Sequence, residues 1–168
     1  MKVSLLILFI LLAVSGNAAF AQDMKFAGTH KPEKEVLELI AKYQAASTNW
    51  KTPQERDERR KALVSAGYFY HGWDGRPIGF DGLTVRQTNN NLHVAEVKIS
   101  DITLFQYENS AIVTFISKSK GVNHGKPFEN FASQLVIIGK ESGLWKVMAD
   151  VVGQEPDRPS TNPETKNE

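Results

Sequence analysis

The sequence predicts an α+β domain in which helices come first and an antiparallel sheet follows. Three observations support this prediction. Apolar residues recur at three- and four-residue spacing between residues 32 and 50, as on one face of a helix. A capping box at Thr52 opens a second helix. From His93 to Gly153, four long strand-like runs are separated by short turns, and such short connections make neighbouring strands antiparallel.

The first 21 residues predict a secretory signal peptide. Lys2 precedes the apolar run Val3–Val14, and Ala19 and Ala21 suit the two small-residue positions of a cleavage site. A membrane span takes about 20 apolar residues, so the run is short for one. An uncleaved anchor is the alternative. We therefore expect an exported protein, periplasmic or secreted, that is cleaved after Ala21 and has no membrane attachment afterwards.

The remaining chain predicts one folded domain over residues 22–154 and a disordered tail over residues 155–168. The tail holds three prolines and no large apolar residue. The sequence has no cysteine, which excludes disulfides and thiol catalysis. Without the leader, whose one charged residue is Lys2, basic and acidic residues are equal in number. This balance gives no indication of a nucleic-acid partner.

Three helices are predicted, over Pro32–Trp50, Pro53–Gly67 and Asp81–Thr88. The first has a face that must be buried; it consists of Val36, Leu39, Ile40, Tyr43, Ala46, Ser47 and Trp50. In the second, the charged run from residue 56 to residue 61 is expected to face solvent, while Ala62, Leu63 and Ala66 face inward.

Five strands are predicted: a short one at Tyr68–His71, and long ones at Val94–Tyr107, Ala111–Val122, Pro127–Lys140 and Leu144–Gly153. A turn is expected at residues 73–77. The middle of the Ala111–Val122 strand is apolar on both faces, so one face packs on the helices and the other needs a cover. A second copy of the chain is the cover we expect.

This order of elements resembles the nuclear transport factor 2-like superfamily, in particular its SnoaL-like and uncharacterised exported branches. The features that carry the resemblance span about residues 33–153. They are the helix pair Val36–Trp50 and Pro53–Gly67, the Tyr68–His71 strand with its Asp74-Gly75-Arg76 turn, the Gly79–Leu83 start of the third helix, and the Gly143–Val147 ending.

The resemblance implies a cone-shaped, cystatin-like roll. In such a roll a strongly curved antiparallel sheet wraps around an N-terminal helix pair and leaves a pocket at its open end. The resemblance also implies a homodimer that forms through the outer face of the sheet.

Neither a metal site nor a cofactor is predicted. The four histidines are far apart in sequence, and no phosphate-binding glycine loop or serine nucleophile motif is present. Tyr43 and His71 are the candidate catalytic residues. The stretch Leu39–Ala46 is similar to the first helix of steroid isomerases of the superfamily, where a tyrosine hydroxyl donates to a developing enolate oxygen. The alternative is that Tyr43 is a core aromatic residue.

His71 lies near the position where the resemblance places an aspartate general base, which is missing here. An imidazole near neutrality could move protons in its place. The alternative is a histidine at the end of a strand that faces solvent or a neighbouring strand.

The candidate ligand-binding residues are Tyr68, Tyr70, Trp73, Asn130 and Gln134. The three aromatic residues edge the mouth of the pocket or belong to the core. The two amides share one strand face, which is either the concave wall of the pocket or a dimer contact.

In the last strand, alternation predicts that Trp145, Val147, Ala149 and Val151 form the concave face. Asp150 then points outward.

Three functions fit these observations. The first is an exported module that binds a small, mostly apolar molecule in its pocket. The second is an acid–base enzyme, an isomerase, dehydratase or cyclase, which needs Tyr43 and His71 to project into one cavity. The third is a dimerising interaction domain of the cell envelope with a large apolar outer face.

Overall fold

The computed structural model describes residues 25–28, 33–48, 50–72 and 75–153. The predicted signal peptide, the tail and Trp73 lie outside these residues. The described chain forms, in order, β1 (Lys25–Gly28), α1 (Lys34–Ala45), α2 (Pro53–Lys61), β2 (Val64–His71), β3 (Pro77–Gly79), α3 (Phe80–Asn89), β4 (His93–Gln106), β5 (Ser110–Asn123), β6 (Lys126–Glu141) and β7 (Leu144–Val152). None of the described helices is long and apolar enough to cross a membrane.

The seven strands form one open sheet in the order β1-β4-β5-β6-β7-β2-β3. The meander from β4 to β7 is antiparallel throughout, as predicted. At its two ends, β1 pairs parallel with β4 and β2 pairs parallel with β7. The sheet is therefore mixed rather than purely antiparallel. The sequence reasoning missed β1 because residues 22–31 looked like a polar lead-in.

Helix α1 supplies the side chains around which the sheet curves. Val36, Leu39, Ile40 and Tyr43 are buried, as the helical spacing predicted, and they join the core with the inner-face residues of the strands. The helix is shorter than predicted, because it ends at Ala45. The hydroxyl of Thr48 donates to the carbonyl of Ala45, which offers the chain an alternative to another helical turn.

Helix α2 begins as its capping box predicted, since the hydroxyl of Thr52 accepts from the backbone N–H of Glu55 at 3.2 Å. The prediction that it runs to Gly67 was wrong. It ends at Lys61, and β2 begins at Val64. The reason is tertiary pairing: β2 aligns with β7, and this ladder buries Val64 in the core. Contrary to prediction, Ala62 and Ala66 are exposed.

An extra residue in β7 decides which side chains reach the inner face. Ile137 pairs with Ala149, whereas the next residue of β6, Ile138, pairs with Val147. Met148 is therefore a bulge, and the alternation of side chains shifts by one residue beyond it. Val147 faces inward, but so does Asp150, while Ala149 and Val151 lie on the outer face. The prediction that Asp150 points outward was wrong for this reason.

Candidate functional site

A cavity of about 490 Å³ lies between helices α1 and α3 and the inner face of the sheet. More than half of the described residues at its wall carry polar or charged side chains. Helices α1 and α3, the residues that directly follow them and strand β2 contribute Tyr43, Gln44, Ser47, Tyr70, Leu83, Arg86, Gln87 and Asn90. The other strands contribute mainly Val94, Val97, Ser117, Ser119, Asn123, Phe128, Asn130, Ala132, Gln134, Asp150 and Val152. Its volume is in the range of pockets that hold small organic molecules.

Four buried residues form a hydrogen-bonded group, which we call the inner cluster: Tyr43, Arg60, Tyr68 and Asp150. The Tyr43 hydroxyl donates to Asp150 Oδ2 at 2.9 Å and lies 3.0 Å from the Tyr68 hydroxyl. Arg60 Nη2 donates to the same Tyr43 oxygen at 3.3 Å. A phenol has one proton to donate. Because Tyr43 gives its proton to Asp150, Tyr68 must donate to Tyr43.

Arg60 lies behind the cavity and connects the inner cluster to its wall. The residue is only 5% exposed, and its Nη1 donates to Gln87 Oε1 at 3.2 Å. Its guanidinium carbon lies 5.7 Å from the centre of the Tyr43 ring, within the range of a cation–π contact. Arg60 thus holds one residue from α1 and one from α3, both of which line the cavity.

Burial has the largest effect on the pKa values of the acidic groups in the inner cluster. It raises the pKa of Asp150 above its ordinary value, while the charge of Arg60 and the hydrogen bond from Tyr43 act in the opposite direction. Burial also raises the pKa of Tyr43 well above its ordinary value, and it raises the pKa of Tyr68 to about 12. Both phenols are therefore neutral near pH 7.

The hydrogen bonds define what the inner cluster can do. The Tyr43 hydroxyl donates once and accepts twice, so its capacity is filled and it has no proton left for a ligand. The other carboxylate oxygen, Asp150 Oδ1, is buried and has no partner among the described residues. Arg60 Nε is likewise buried and has no partner among the described residues.

The structure places the predicted ligand-binding residues as follows. Asn130, Gln134 and Tyr70 line the cavity, so the two amides lie on the concave face. Tyr68 is buried behind Tyr43, in the core and not at the mouth. Trp73 lies outside the described residues. Tyr43 lines the cavity and is also a residue of the hydrophobic core. No observation tests the roles of these residues, which stay predictions.

The fold does not place His71 in the same cavity as Tyr43. In β2, Tyr70 pairs with Asp150 and lines the cavity, and the next residue, His71, pairs with Val151 on the outer face. Successive side chains of a strand point to opposite faces. The acid–base hypothesis required Tyr43 and His71 in one cavity, and the sheet separates them.

Sequence reasoning missed two members of the inner cluster. Asp150 was assigned to the outside because a bulge has no signature in one strand alone. Arg60 belongs to the run that was predicted to be solvated, but Arg56 and Arg60, one helical turn apart, are both buried. Each guanidinium lies over an aromatic ring, Trp50 and Tyr43 respectively. The available signal was the spacing of these two arginines opposite an aromatic helix face.

Within the described ranges, no group of three or more residues of the metal-binding types could hold a metal ion. No protein-family model and no curated protein sequence matches the chain.

Solved structures do match. A protein of the nuclear transport factor 2-like class from Cytophaga hutchinsonii has 16% identity and a TM-score of 0.61, with 71% of this chain and 94% of that one covered. A candidate ketosteroid isomerase from Shewanella frigidimarina has 12% identity and a TM-score of 0.57, covering 72% and 96%. The CaMKII hub of S. rosetta has 15% identity and a TM-score of 0.57, covering 74% and 98%.

These similarities establish the fold. The chain has the α+β, cystatin-like fold of the nuclear transport factor 2-like superfamily, in which a curved sheet wraps around the N-terminal helices. The predicted fold class is confirmed. Because one fold carries many activities, function has to come from the cavity itself.

Proposed function

We propose that this protein is an exported, SnoaL-like pocket protein that binds a small organic molecule in the cavity between α1, α3 and the sheet. One observation supports the proposal most: a cavity of about 490 Å³ has polar side chains along its wall and an ordered, buried inner cluster at Tyr43 and Asp150. Ligand sites combine such concave volume with a few oriented polar groups. We propose that this activity lies outside the cytoplasm, because residues 1–21 predict a signal peptide.

The wall indicates a ligand of mixed polarity. The sequence predicted a mostly apolar molecule, and Leu83, Phe128 and Val152 supply apolar surface for one. The amides of Asn130 and Gln134 and the hydroxyls of Ser117 and Ser119 add donors and acceptors along the same wall. The ligand we propose therefore has an apolar frame with several hydrogen-bonding groups.

The arrangement of the inner cluster favours a binding function over acid–base catalysis. A general base has to reach the proton that it removes, and His71 lies on the other face of the sheet. The hydroxyl of Tyr43 is already fully hydrogen-bonded. Preformed hydrogen bonds of this kind fix the shape of a pocket before the ligand arrives, which lowers the entropy cost of binding.

A screen of small molecules tests the proposal. Thermal unfolding of the mature protein should shift upward with members of a library of steroids, polyketides, aromatic acids and hydroxylated aromatic compounds. Binding to the native state alone raises stability by about 2.7 kcal/mol at a hundred times Kd, so a micromolar ligand gives a clear shift at submillimolar concentration. A library in which no compound shifts the unfolding temperature, followed by a crystal structure with an empty or filled-in cavity, would contradict the proposal.

We also propose that two copies pair through the outer face of the sheet. Phe105, Ile112 and Ile137 are neighbours across three strands on this face, and Phe69 at its far side is 40% exposed. An apolar area of this kind is typical of interaction surfaces. The CaMKII hub of S. rosetta has a similar fold, and a hub domain is consistent with a second copy as the partner.

Substitution of Leu135 by lysine should convert the dimer to a monomer. Leu135 lies on the outer face between Thr114 and Val151, so the new charge would be buried against the second copy. Sedimentation equilibrium at micromolar concentration should give a dimer for the wild type and a monomer for Leu135→Lys. The matched control is Leu144→Lys at the start of β7, next to the β6–β7 turn, where the residue is 63% exposed and the dimer should persist. A wild-type protein that is monomeric under these conditions refutes this part of the proposal.

A further inference from the structure

Six polar side chains at the wall of the cavity make no hydrogen bond within the part of the chain that the structure describes. We call them the free polar set, and its members are Gln44, Ser47, Asn90, Ser119, Asn130 and Gln134. Their nitrogen and oxygen atoms keep accessible surface, whereas Oδ1 of Asn123 and Oδ1 of Asp150 are enclosed. Water hydrates such accessible atoms, so a ligand that displaces it has to reproduce its hydrogen bonds.

The free polar set lies on two sides of the cavity. Gln44 and Ser47 belong to the last turn of α1 and the residues after it, and Asn90 directly follows α3. The other three members project from β5 and β6. A flat aromatic ligand carries hydrogen-bonding groups only at its rim, and its two faces need apolar walls. Polar groups on both sides therefore favour a saturated ring that carries hydroxyls all around it.

The spacing along the sheet indicates more than one ring. Ser119 pairs directly with Asn130 across β5 and β6, so the two side chains are adjacent on the inner face. Gln134 stands four residues farther along β6, which is about 13 Å at about 3.3 Å per residue. The adjacent hydroxyl and carboxamide suit two neighbouring hydroxyls of one sugar ring. The distance to Gln134 then requires a second ring.

We propose that the cavity binds a neutral disaccharide, which the free polar set holds from both sides. This inference rests on the proposed binding function and names the chemical class of the ligand. Carboxamides and hydroxyls both donate and accept hydrogen bonds, as the hydroxyls of a sugar do. They therefore match a polyhydroxylated ligand, whereas a carboxylate or phosphate ligand would only accept.

The charged residues at the wall do not require a charge on the ligand. Asp150 accepts the proton of the inner cluster, and Glu129 is paired with Lys118 and Lys120. Arg86 has an interaction of its own within the chain. Each of these charges is thus already engaged, and the groups that are open to a ligand are uncharged.

Apolar residues of the wall complete the fit. Leu83 on the helix side and Phe128 on the sheet side supply surface against which the C–H groups of sugar rings can pack. Ligand sites combine such apolar surface with a few oriented polar groups. A cavity of about 490 Å³ is large enough for two rings.

The test is isothermal titration of the full mature protein with six neutral disaccharides that differ in ring and linkage: maltose, cellobiose, lactose, trehalose, sucrose and di-N-acetylchitobiose. At least one should bind with a Kd below about 1 mM, and its component monosaccharides should bind about tenfold or more weakly. Asn130→Leu keeps the size of the side chain and removes its hydrogen bonds, so it should weaken the disaccharide about tenfold or more. Asn89→Leu makes the same change at the exposed end of α3 and should keep the wild-type affinity.

Each outcome decides the inference. No binding of any of the six disaccharides, equal binding of the monosaccharides, or full affinity in Asn130→Leu would overturn it. Thermal unfolding checks that Asn130→Leu is folded; if it is not, Gln134→Met removes the hydrogen bonds at the other end of the site and should give the same loss. If the disaccharides do not bind but an aromatic compound or steroid from the wider screen does, this inference fails and the proposed function stands.

Discussion

Replacement of Arg60 by methionine should lower the free energy of unfolding by about 3 kcal/mol at neutral pH. Arg60 is buried and is the cation whose charge lowers the pKa of Asp150 against the effect of burial. Methionine has a similar length and keeps the packing against the Tyr43 ring. The loss therefore comes from leaving a buried carboxylate without its compensating charge. Urea denaturation followed by circular dichroism measures it.

The pH dependence of this loss identifies its cause. Burial holds the pKa of Asp150 above its unfolded value, so the folded state binds the proton more tightly than the unfolded state. Asp150 therefore contributes to the stability of the folded state at low pH, and this contribution decreases as the pH rises through the raised pKa. Removal of Arg60 raises that pKa further. The destabilisation should therefore be largest near pH 7 and should become smaller toward pH 4, as Asp150 takes up its proton.

Two further variants separate charge from packing. Arg59→Met makes the same change one residue earlier, where the side chain is 44% exposed and pairs with Glu55, and it should cost less than about 1 kcal/mol. Adding Asp150→Asn to Arg60→Met removes the uncompensated carboxylate and should restore most of the lost stability. An additive double variant, or a loss that does not change between pH 7 and pH 4, would mean that the Arg60–Asp150 charge balance is not what stabilises the cluster.

Substitution of Ser119 by tryptophan should weaken ligand binding by about a hundredfold or more. Ser119 lines the cavity from β5, so an indole at this position occupies volume that a ligand needs. Its neighbour Lys120 is exposed and projects to the other face, where it pairs with Glu129. Lys120→Trp is thus a matched control with the same new side chain one residue away. The ligand is the strongest compound from the screen, and titration calorimetry measures its affinity.

The sequence predicted the parts of the fold that local patterns determine. The helical spacing from Val36 to Tyr43 identified the buried face of α1, and the capping box at Thr52 located the start of α2. The short turns of the meander fixed the antiparallel neighbours from β4 to β7. Each of these features depends on residues that are close in sequence, and such local features can be predicted from a single sequence.

The inner cluster depends on contacts between distant residues. Tyr43 and Asp150 are 107 positions apart in sequence, and the bulge that turns Asp150 inward is visible only in the register of β7 against β6. The burial of Arg60 depends on Tyr43 and Gln87, which come from two other helices. The end of α2 is set by the pairing of β2 with β7. No local pattern contains this information.

Titration of one ligand into the wild type, Ser119→Trp and Lys120→Trp tests the binding role of the cavity most directly. We predict equal affinities for the wild type and Lys120→Trp, and heat too small to measure for Ser119→Trp, with thermal unfolding showing that all three proteins are folded. If Ser119→Trp binds as tightly as the wild type, the ligand does not occupy the cavity, and the proposed function is contradicted.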